Sequence, residues 1–350
     1  MNISSFSPVK NQTLEVVLPG IVAPSGLQLR QAALPTPAAH QVLLQMEATG
    51  VSFAEKSMRR GRYPGQPKFP FVPGYDVVGT VLAVGPGVDV ALLGQRVAAA
   101  IKTGGWATHL LVPADEVVAV PAGLEPANAE TVVVNGVTAW QMLYNKAKAK
   151  PGQTILVLGA SSGVATVLAQ LAVSDGIRVI GTASPRHHEA LRALGVEPLD
   201  YADPNLSARV RELSPSGVDA VFDHLGPKSA KASFDLLDQG GTLVAYGIAA
   251  DLDKTTALLP TFVGFLSQLA LWSALPNGKH AVFYDFWEGM IVGPAASKSR
   301  RREDLGKVLA RMSSGAIKPV IAATFQLRDA RAALEFAEAR GVFGKVVMVP

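Results

Sequence analysis

The sequence predicts an α/β protein of two modules: a β-rich, partly closed barrel and a doubly wound parallel sheet. Three observations carry this. Residues 14–130 hold short β-branched runs broken by Gly and Pro, with a single helical stretch. From Thr131 onward, near-continuous apolar strands alternate with helical segments, as in a parallel sheet buried on both faces. In mid-chain, the run Ile155-Leu-Val-Leu-Gly-Ala-Ser-Ser-Gly-Val-Ala-Thr-Val-Leu-Ala-Gln-Leu-Ala172 passes from strand through a small-residue turn into a helix. Such a βα unit presents backbone N–H groups and a helix N-terminus to a phosphate.

In the first module the strands are Val42–Met46, Val77–Val84, Arg96–Ala98 and Ala107–Val112. Pro64-Gly65, Pro73-Gly74 and Gly85-Pro-Gly87 mark turns, and Phe53–Arg60 reads as the helix. In the second module a helix over Thr138–Lys148 leads to Pro151-Gly152. Strands are expected at Thr154–Leu158, Arg178–Thr182, Asp219–Asp223 and Thr242–Tyr246. Helices are expected at Gly163–Asp175, His187–Leu194, Ser207–Leu213 and Lys228–Leu237. Ile248–Ser299 reads as less regular. Its apolar run, Thr256–Leu275, has about the length of a bilayer span, yet Pro260, Gly264, Gln268 and several hydroxyls point to a lid or subunit-contact helix. Phe265, Trp272 and Phe283 are expected to line that lid. Val320–Phe325, a helix over Ala330–Arg340 and a strand over Gly344–Val349 close the chain.

Composition narrows the class. The 350 residues are enough for two domains, and 49% hydrophobic against 17% charged residues excludes disorder. The absence of cysteine excludes disulfides, thiolate nucleophiles and Cys-ligated zinc. Met1-Asn-Ile-Ser-Ser-Phe-Ser7 has neither a basic nor an apolar leader segment, so a cytoplasmic location is expected. The net charge of +4 is spread along the chain and gives no nucleic-acid footprint; the Lys298–Arg302 cluster reads as a solvated loop.

Three enzyme motifs overlap near the glycine turn. Gly159-Ala-Ser161-Ser-Gly163 satisfies the nucleophile elbow G-x-S-x-G, with Asp223, His224 and His280 as triad partners by type. Against a serine hydrolase, what precedes an elbow should be most of a hydrolase sheet, and here it is a β-rich module. Tyr144-Asn-Lys-Ala-Lys148 satisfies Y-x-x-x-K but precedes the turn, so its lysines read as decoration of a helix C-terminus. The third reading is a dinucleotide turn, Gly159 to Ala165. A carboxylate at the end of the second strand would select NAD. That strand ends Gly181-Thr-Ala-Ser184-Pro-Arg186-His-His188, with a hydroxyl and a guanidinium suited to a 2′-phosphate.

The whole chain resembles the zinc-independent medium-chain dehydrogenase/reductases of the quinone oxidoreductase group. The resemblance rests on Gly50-Val-Ser-Phe-Ala-Glu55, Arg60-Gly-Arg-Tyr63-Pro, Pro73-Gly-Tyr-Asp-Val-Val-Gly79, Val84-Gly-Pro-Gly-Val88, Gly105-Trp-Ala, Asn135-Gly-Val-Thr-Ala139, the glycine turn, Asp200-Tyr201, Asp223-His-Leu-Gly226, Gly315-Ala-Ile-Lys-Pro319 and Gly344-Lys345. Gly181-Thr-Ala-Ser184, Glu189-Ala-Leu191 and the ending Gly344-Lys-Val-Val-Met-Val-Pro350 resemble its synaptic vesicle membrane protein VAT-1 branch. The resemblance implies a GroES-like substrate domain over 1–130 and 317–350. It implies a Rossmann NADPH-binding domain over 131–316 with a lid or dimer-contact insertion at 248–300, and a homodimer. It places Ser184, Arg186 and Tyr201 at the adenosine-phosphate end, and Ser162, Gly163 and Val164 at the pyrophosphate, with Ser161 and His188 also in the cofactor set. Thr138, Tyr246 and Gly247 fall near the nicotinamide, and Leu225 and Lys345 complete the cofactor set. Tyr63 matches an active-site tyrosine, with Ser52 and Lys56 as further catalytic positions.

Zinc can be judged from ligands. Metal-bearing relatives carry Cys where Ser52 stands and a His-Glu pair where Tyr75-Asp76 stands. His40, His109, His187, His188, His224 and His280 form no zinc-ligand spacing, so no metal site is expected. The natural chemistry is then hydride transfer to an already electrophilic carbon, in a quinone or at the β-carbon of an enone. A reductase fold retained for lipid or partner binding through residues 256–302, and the serine hydrolase using Ser161, remain as alternatives.

Overall fold

The computed structural model describes residues 11–249, 258–288, 293–339 and 341–350. The leader reading at Met1–Ser7, Thr256 and Ala257 of the apolar run, parts of the 248–300 insertion, and Arg340 of the last helix lie outside the described residues. These divide into two compact units: one within 1–133, 323–339 and 346–350, the other within 134–322 and 340–345.

The first unit holds β1 (Gln12–Val17), β2 (Gln28–Ala33), β3 (Gln41–Val51), α1 (Phe53–Arg59), β4 (Asp76–Val84), β5 (Arg96–Ala100), β6 (His109–Pro113), β7 (Val118–Ala119) and α2 (Pro126–Glu130). The second holds α3 (Val134–Trp140), β8 (Thr154–Val157), α4 (Gly163–Ser174), β9 (Arg178–Ala183), α5 (His188–Ala193), β10 (Val196–Asp200), α6 (Leu206–Leu213), β11 (Val218–Asp223), α7 (Pro227–Asp235), β12 (Leu237–Ala245), α8 (Leu258–Ala274), β13 (His280–Phe283) and α9 (Pro294–Ser313). β14 (Ile321–Gln326), α10 (Ala330–Glu338) and β15 (Lys345–Val349) follow.

In the first unit, β3 is the spine. Its apolar run Val42-Leu-Leu buries against β4 and β6, and its far end pairs with β15, giving the strand order β14-β15-β3-β4-β5-β7 with β6 also on β3. The fully buried Trp106 pins this core, its indole N–H donating to the carbonyl of Gly50 at 2.9 Å. In the second unit six strands run parallel in the order β10-β9-β8-β11-β12-β13. The order reverses between β8 and β11, which are neighbours there. The carboxyl ends of strands at such a reversal form the crevice where ligands bind in open α/β sheets.

Several local expectations give way. The region read as less regular contains α8, β13 and the start of α9. Lys298–Arg302 lies on α9, not on a loop. Arg301 is buried there because its guanidinium stacks on Trp287, 4.9 Å from the ring centre, and its Nη1 donates to Ser297. Phe265, Trp272 and Phe283 belong to the core, not to a lid: Trp272 stacks on Phe234 at 4.9 Å, and Phe265 meets Phe283 edge-on. The helix expected over Thr138–Lys148 starts earlier, at Val134, and ends in a wider π-helical turn at Gln141–Lys146; Lys148, beyond its end, has φ +53°. Tyr144 therefore shares no face with Lys148; its hydroxyl donates to Asp175 at 2.7 Å. Among the described residues no helix is long and apolar enough to cross a membrane.

Candidate functional site

The glycine turn after β8 is held from β9. Gly159 donates its N–H to the Thr182 hydroxyl at 3.1 Å, and Ala160 donates to the Thr182 carbonyl at 2.8 Å. Gly159 has φ +64°, where a side chain is strained, and a Cβ would stand 2.4 Å from Cε1 of His224. Ser162 caps α4, its hydroxyl accepting from Ala165. The N–H groups of Gly163 and Val164, at the start of α4, have no acceptor within the helix, and the helix dipole makes this end positive. Gly163 also lets Asn135 approach; a Cβ would meet its amide nitrogen at 2.5 Å. Gly344 runs beside the turn, donating to the Ser161 carbonyl at 2.9 Å, and Lys345, with its side chain buried, follows.

The ends of β9 and β10 bring Ser184, Arg186, His188 and Tyr201 together. Arg186 Nε donates to the Ser184 hydroxyl at 3.3 Å, and its guanidinium lies on Gly341, where a Cβ would stand 2.4 Å from Nη1. Tyr201 docks by its N–H on the Ala183 carbonyl at 3.2 Å while its side chain is 63% exposed. His188 Nε2 lies 3.2 Å from the same carbonyl. His187 is buried against Phe343, with ring centres 5.4 Å apart; burial and the Arg186 charge lower its pKa. The corner is cationic and hydroxylic, and the side chains of residues 184–188 include no carboxylate.

Beyond β11 and β12 lie Leu225, Tyr246 and Gly247. Leu225 is 37% exposed and donates its N–H to Asp223 at 2.8 Å. The Tyr246 hydroxyl is buried beside Ser162 with no hydrogen-bond partner, and burial holds its pKa far above the usual phenol value. Gly247 packs on the His224 main chain, where a Cβ would meet its carbonyl oxygen at 2.8 Å. Thr138 is buried on α3 beside Tyr284. Tyr284 donates to Gln141 at 3.0 Å, and Gln141 donates to the buried Asp304 at 2.8 Å. Sequence reading did not find this chain of groups, whose members are far apart in sequence. It also missed His224 as a wall of the turn; an imidazole directly after a strand-end Asp was the available signal.

The triad does not assemble. Asp223 is spent on Leu225 N–H and the hydroxyls of Ser229 and Ser233, each within 2.9 Å. His280 opens β13 opposite Thr242, at the amino end of the strands, whereas Ser161 follows their carboxyl ends. Ser161 and Ser162 are turn residues.

In the first unit the polar groups are tied to one another. Ser52 caps α1: its hydroxyl accepts from Ala54 at 3.1 Å and donates to Glu55, whose carboxylate also accepts the Ser52 N–H at 2.7 Å. Lys56, expected as a catalytic position, sends its ammonium to the Ala337 carbonyl at the end of α10, and burial lowers its pKa. Arg59 and Arg60 clamp Glu338 beside it. Tyr63 donates to Tyr75 at 2.8 Å with the rings edge to face. Asp76, at a metal-ligand position of the zinc relatives, is fully buried and accepts from Gly50 N–H at 3.2 Å. Among the described residues no three His, Cys, Asp or Glu side chains gather as a metal-holding group.

A sheet reversing at β8 and β11, joined to a β-rich unit that reclaims the chain end, defines the medium-chain dehydrogenase/reductase architecture. A family model described as an alcohol dehydrogenase GroES-like domain matches residues 38–122, and one described as a zinc-binding dehydrogenase matches 194–348. The human synaptic vesicle membrane protein VAT-1 homolog is 32% identical over 334 residues, covering 93% of this chain and 82% of the relative. The rat quinone oxidoreductase is 26% identical over 336 residues, covering 93% and 94%. A mycobacterial protein solved in complex with NADPH superposes with a TM-score of 0.82 at 28% identity, covering 97% of this chain and all of that one, 100%. The chain belongs to the zinc-independent medium-chain dehydrogenase/reductases, in the quinone oxidoreductase group that includes the VAT-1 homologues, and has their GroES-like and Rossmann domains.

Proposed function

We propose that this protein is an NADPH-dependent oxidoreductase acting on a quinone or on the β-carbon of an α,β-unsaturated carbonyl. The observation that carries the reading is the Ser184–Arg186–Tyr201 corner, set one strand away from a helix N-terminus. An NADPH-bound mycobacterial neighbour and the quinone oxidoreductase relatives support it.

The residues fit this cofactor. α4 offers free N–H groups to a diphosphate, and two buried polar atoms nearby lack partners. Arg186 and Ser184 bind the 2′-phosphate, with Tyr201 and His188 at its side. Ser161, Ser162, Gly163 and Val164 receive the diphosphate; Thr138, Leu225, Tyr246, Gly247 and Lys345 complete the site. NADPH, when bound, supplies the hydride. When substrate binds, Tyr63 turns its hydroxyl proton from Tyr75 to the substrate oxygen, and Tyr75 donates to Tyr63 in its place. Ser52 and Lys56 serve indirectly: their hydrogen bonds fix α1, the helix leading to Tyr63.

Quinones and simple enones should oxidise NADPH in the presence of the protein, with rates unchanged by chelators. Failure across a broad panel contradicts the reading. The same resemblance gives a homodimer, which sedimentation tests directly. A second reading, the fold used for binding, is favoured by α8, whose exposed side chains include Val263, Leu266 and Leu271. Flotation with liposomes in the absence of turnover would support it; turnover without flotation would remove it.

A further inference from the structure

The wall of the glycine turn contains two buried polar atoms without a hydrogen-bond partner, Nδ1 of His224 and Oη of Tyr246. They are neighbours: the two rings lie 5.8 Å apart, tilted by 41°. Each follows the carboxyl end of its strand, His224 after β11 and Tyr246 after β12. Gly159 follows β8, so three adjacent strands deliver these groups to the point where the strand order reverses.

The imidazole is seated against the turn itself. A Cβ on Gly159 would stand 2.4 Å from Cε1, 3.2 Å from Nε2 and 3.3 Å from Nδ1 of His224. The backbone of His224 is fixed too, its carbonyl accepting from Ala249 at 3.0 Å. The Leu158 carbonyl lies close to the ring, and Nδ1 has no hydrogen-bond partner; in the neutral tautomer that carries its proton on Nε2, Nδ1 is a bare lone pair. Native proteins rarely bury such an atom unless a ligand or water meets it.

We propose that His224 Nδ1 and Tyr246 Oη are side-chain ligands of the dinucleotide's diphosphate, and that His224 takes up a proton as the diphosphate binds. The inference rests on the cofactor reading above. A lone pair repels a phosphate oxygen, whereas a protonated Nδ1 donates to it. The proton comes from solvent, and the imidazole becomes an imidazolium paired with the diphosphate's charge. Burial keeps the ring neutral near pH 7, lowering its pKa against the pull of Asp223. The groups facing it are the Asp223 carboxylate on β11, the Leu158 carbonyl after β8 and the Tyr246 phenol after β12. Asp223 is already engaged by Leu225, Ser229 and Ser233, so the new charge beside the ring is the diphosphate's.

Titration calorimetry of the full chain with NADPH, in two buffers of different ionisation heat at pH 7, tests this. The wild type should take up about one proton per site. His224→Gln should lose the uptake and bind NADPH about 10- to 100-fold more weakly. Tyr246→Phe should weaken binding and keep the uptake. Adenosine 2′-monophosphate, which reaches only the Arg186 corner, should bind wild type and both variants alike. Wild-type binding without proton uptake, or uptake retained in His224→Gln, overturns the inference and leaves the cofactor reading intact. No NADPH binding by the wild type overturns both.

Discussion

The two units treat the polar side chains at their candidate sites differently. In the first, Ser52 is tied to Glu55, Tyr63 to Tyr75, Asp76 to Gly50, and Lys56 to Ala337. In the second, the glycine turn is flanked by helix N–H groups without helical acceptors and by two buried atoms without partners. Polar groups that satisfy one another add to stability, while leaving donors and acceptors unmet costs about 1–3 kcal/mol for each buried group. The difference teaches where binding energy is stored: the second unit has deficits that a ligand can repair. Substitutions at the first unit's polar centre should therefore act on stability, and those at the second unit's turn and corner on cofactor affinity.

The largest effect expected is from Trp106→Ala. It empties the first unit's core and should cost about 3–5 kcal/mol of unfolding free energy in urea, with NADPH affinity of the folded protein unchanged. An equal loss of affinity would break the separation. Next, Arg186→Ala removes a charge-assisted contact to the 2′-phosphate. It should raise KM for NADPH about 10- to 100-fold and leave KM for NADH within about twofold, as steady-state kinetics would show. Ser52→Ala removes the α1 cap and should lower stability by about 1 kcal/mol in the same urea assay, without shifting the NADPH Kd. A large change in Kd instead would place the hydroxyl in the cofactor site.

The smallest effect is in the pH profile. Burial lowers the pKa of His187 and His224 from 6.5. Below that value the unfolded chain binds protons that the folded chain resists, so stability should decline as pH falls from about 6.5 through the lower folded values. Urea midpoints measured between pH 7.5 and 5 should show the decline, and His224→Gln should flatten it. A wild-type profile flat across this range contradicts the burial of these rings.

Most of the second unit was legible because local pattern and tertiary role agree there. Ile155-Leu-Val157 is apolar on both faces because β8 lies between β9 and β11. The Gly159 turn announces itself because no other residue fits its backbone beside His224. The Ser184–Arg186 corner is short-range and was readable as chemistry. What escaped depends on partners far along the chain. Arg301 is buried by Trp287 in a segment whose composition reads as a solvated loop. Lys56 meets a carbonyl 281 residues away, and Gln141 meets Asp304 across 163 residues. His224 is polar by type, and only the packing of three strand ends shows that one of its nitrogens goes unmet.

The account stands on selection of the phosphorylated cofactor by the β9–β10 corner. Measuring the dissociation constants of NADPH and NADH for the wild-type protein tests it most directly. The account predicts NADPH binding at least about tenfold tighter, the share of one charge-assisted contact. Equal affinity for the two, or no binding of either, would contradict it.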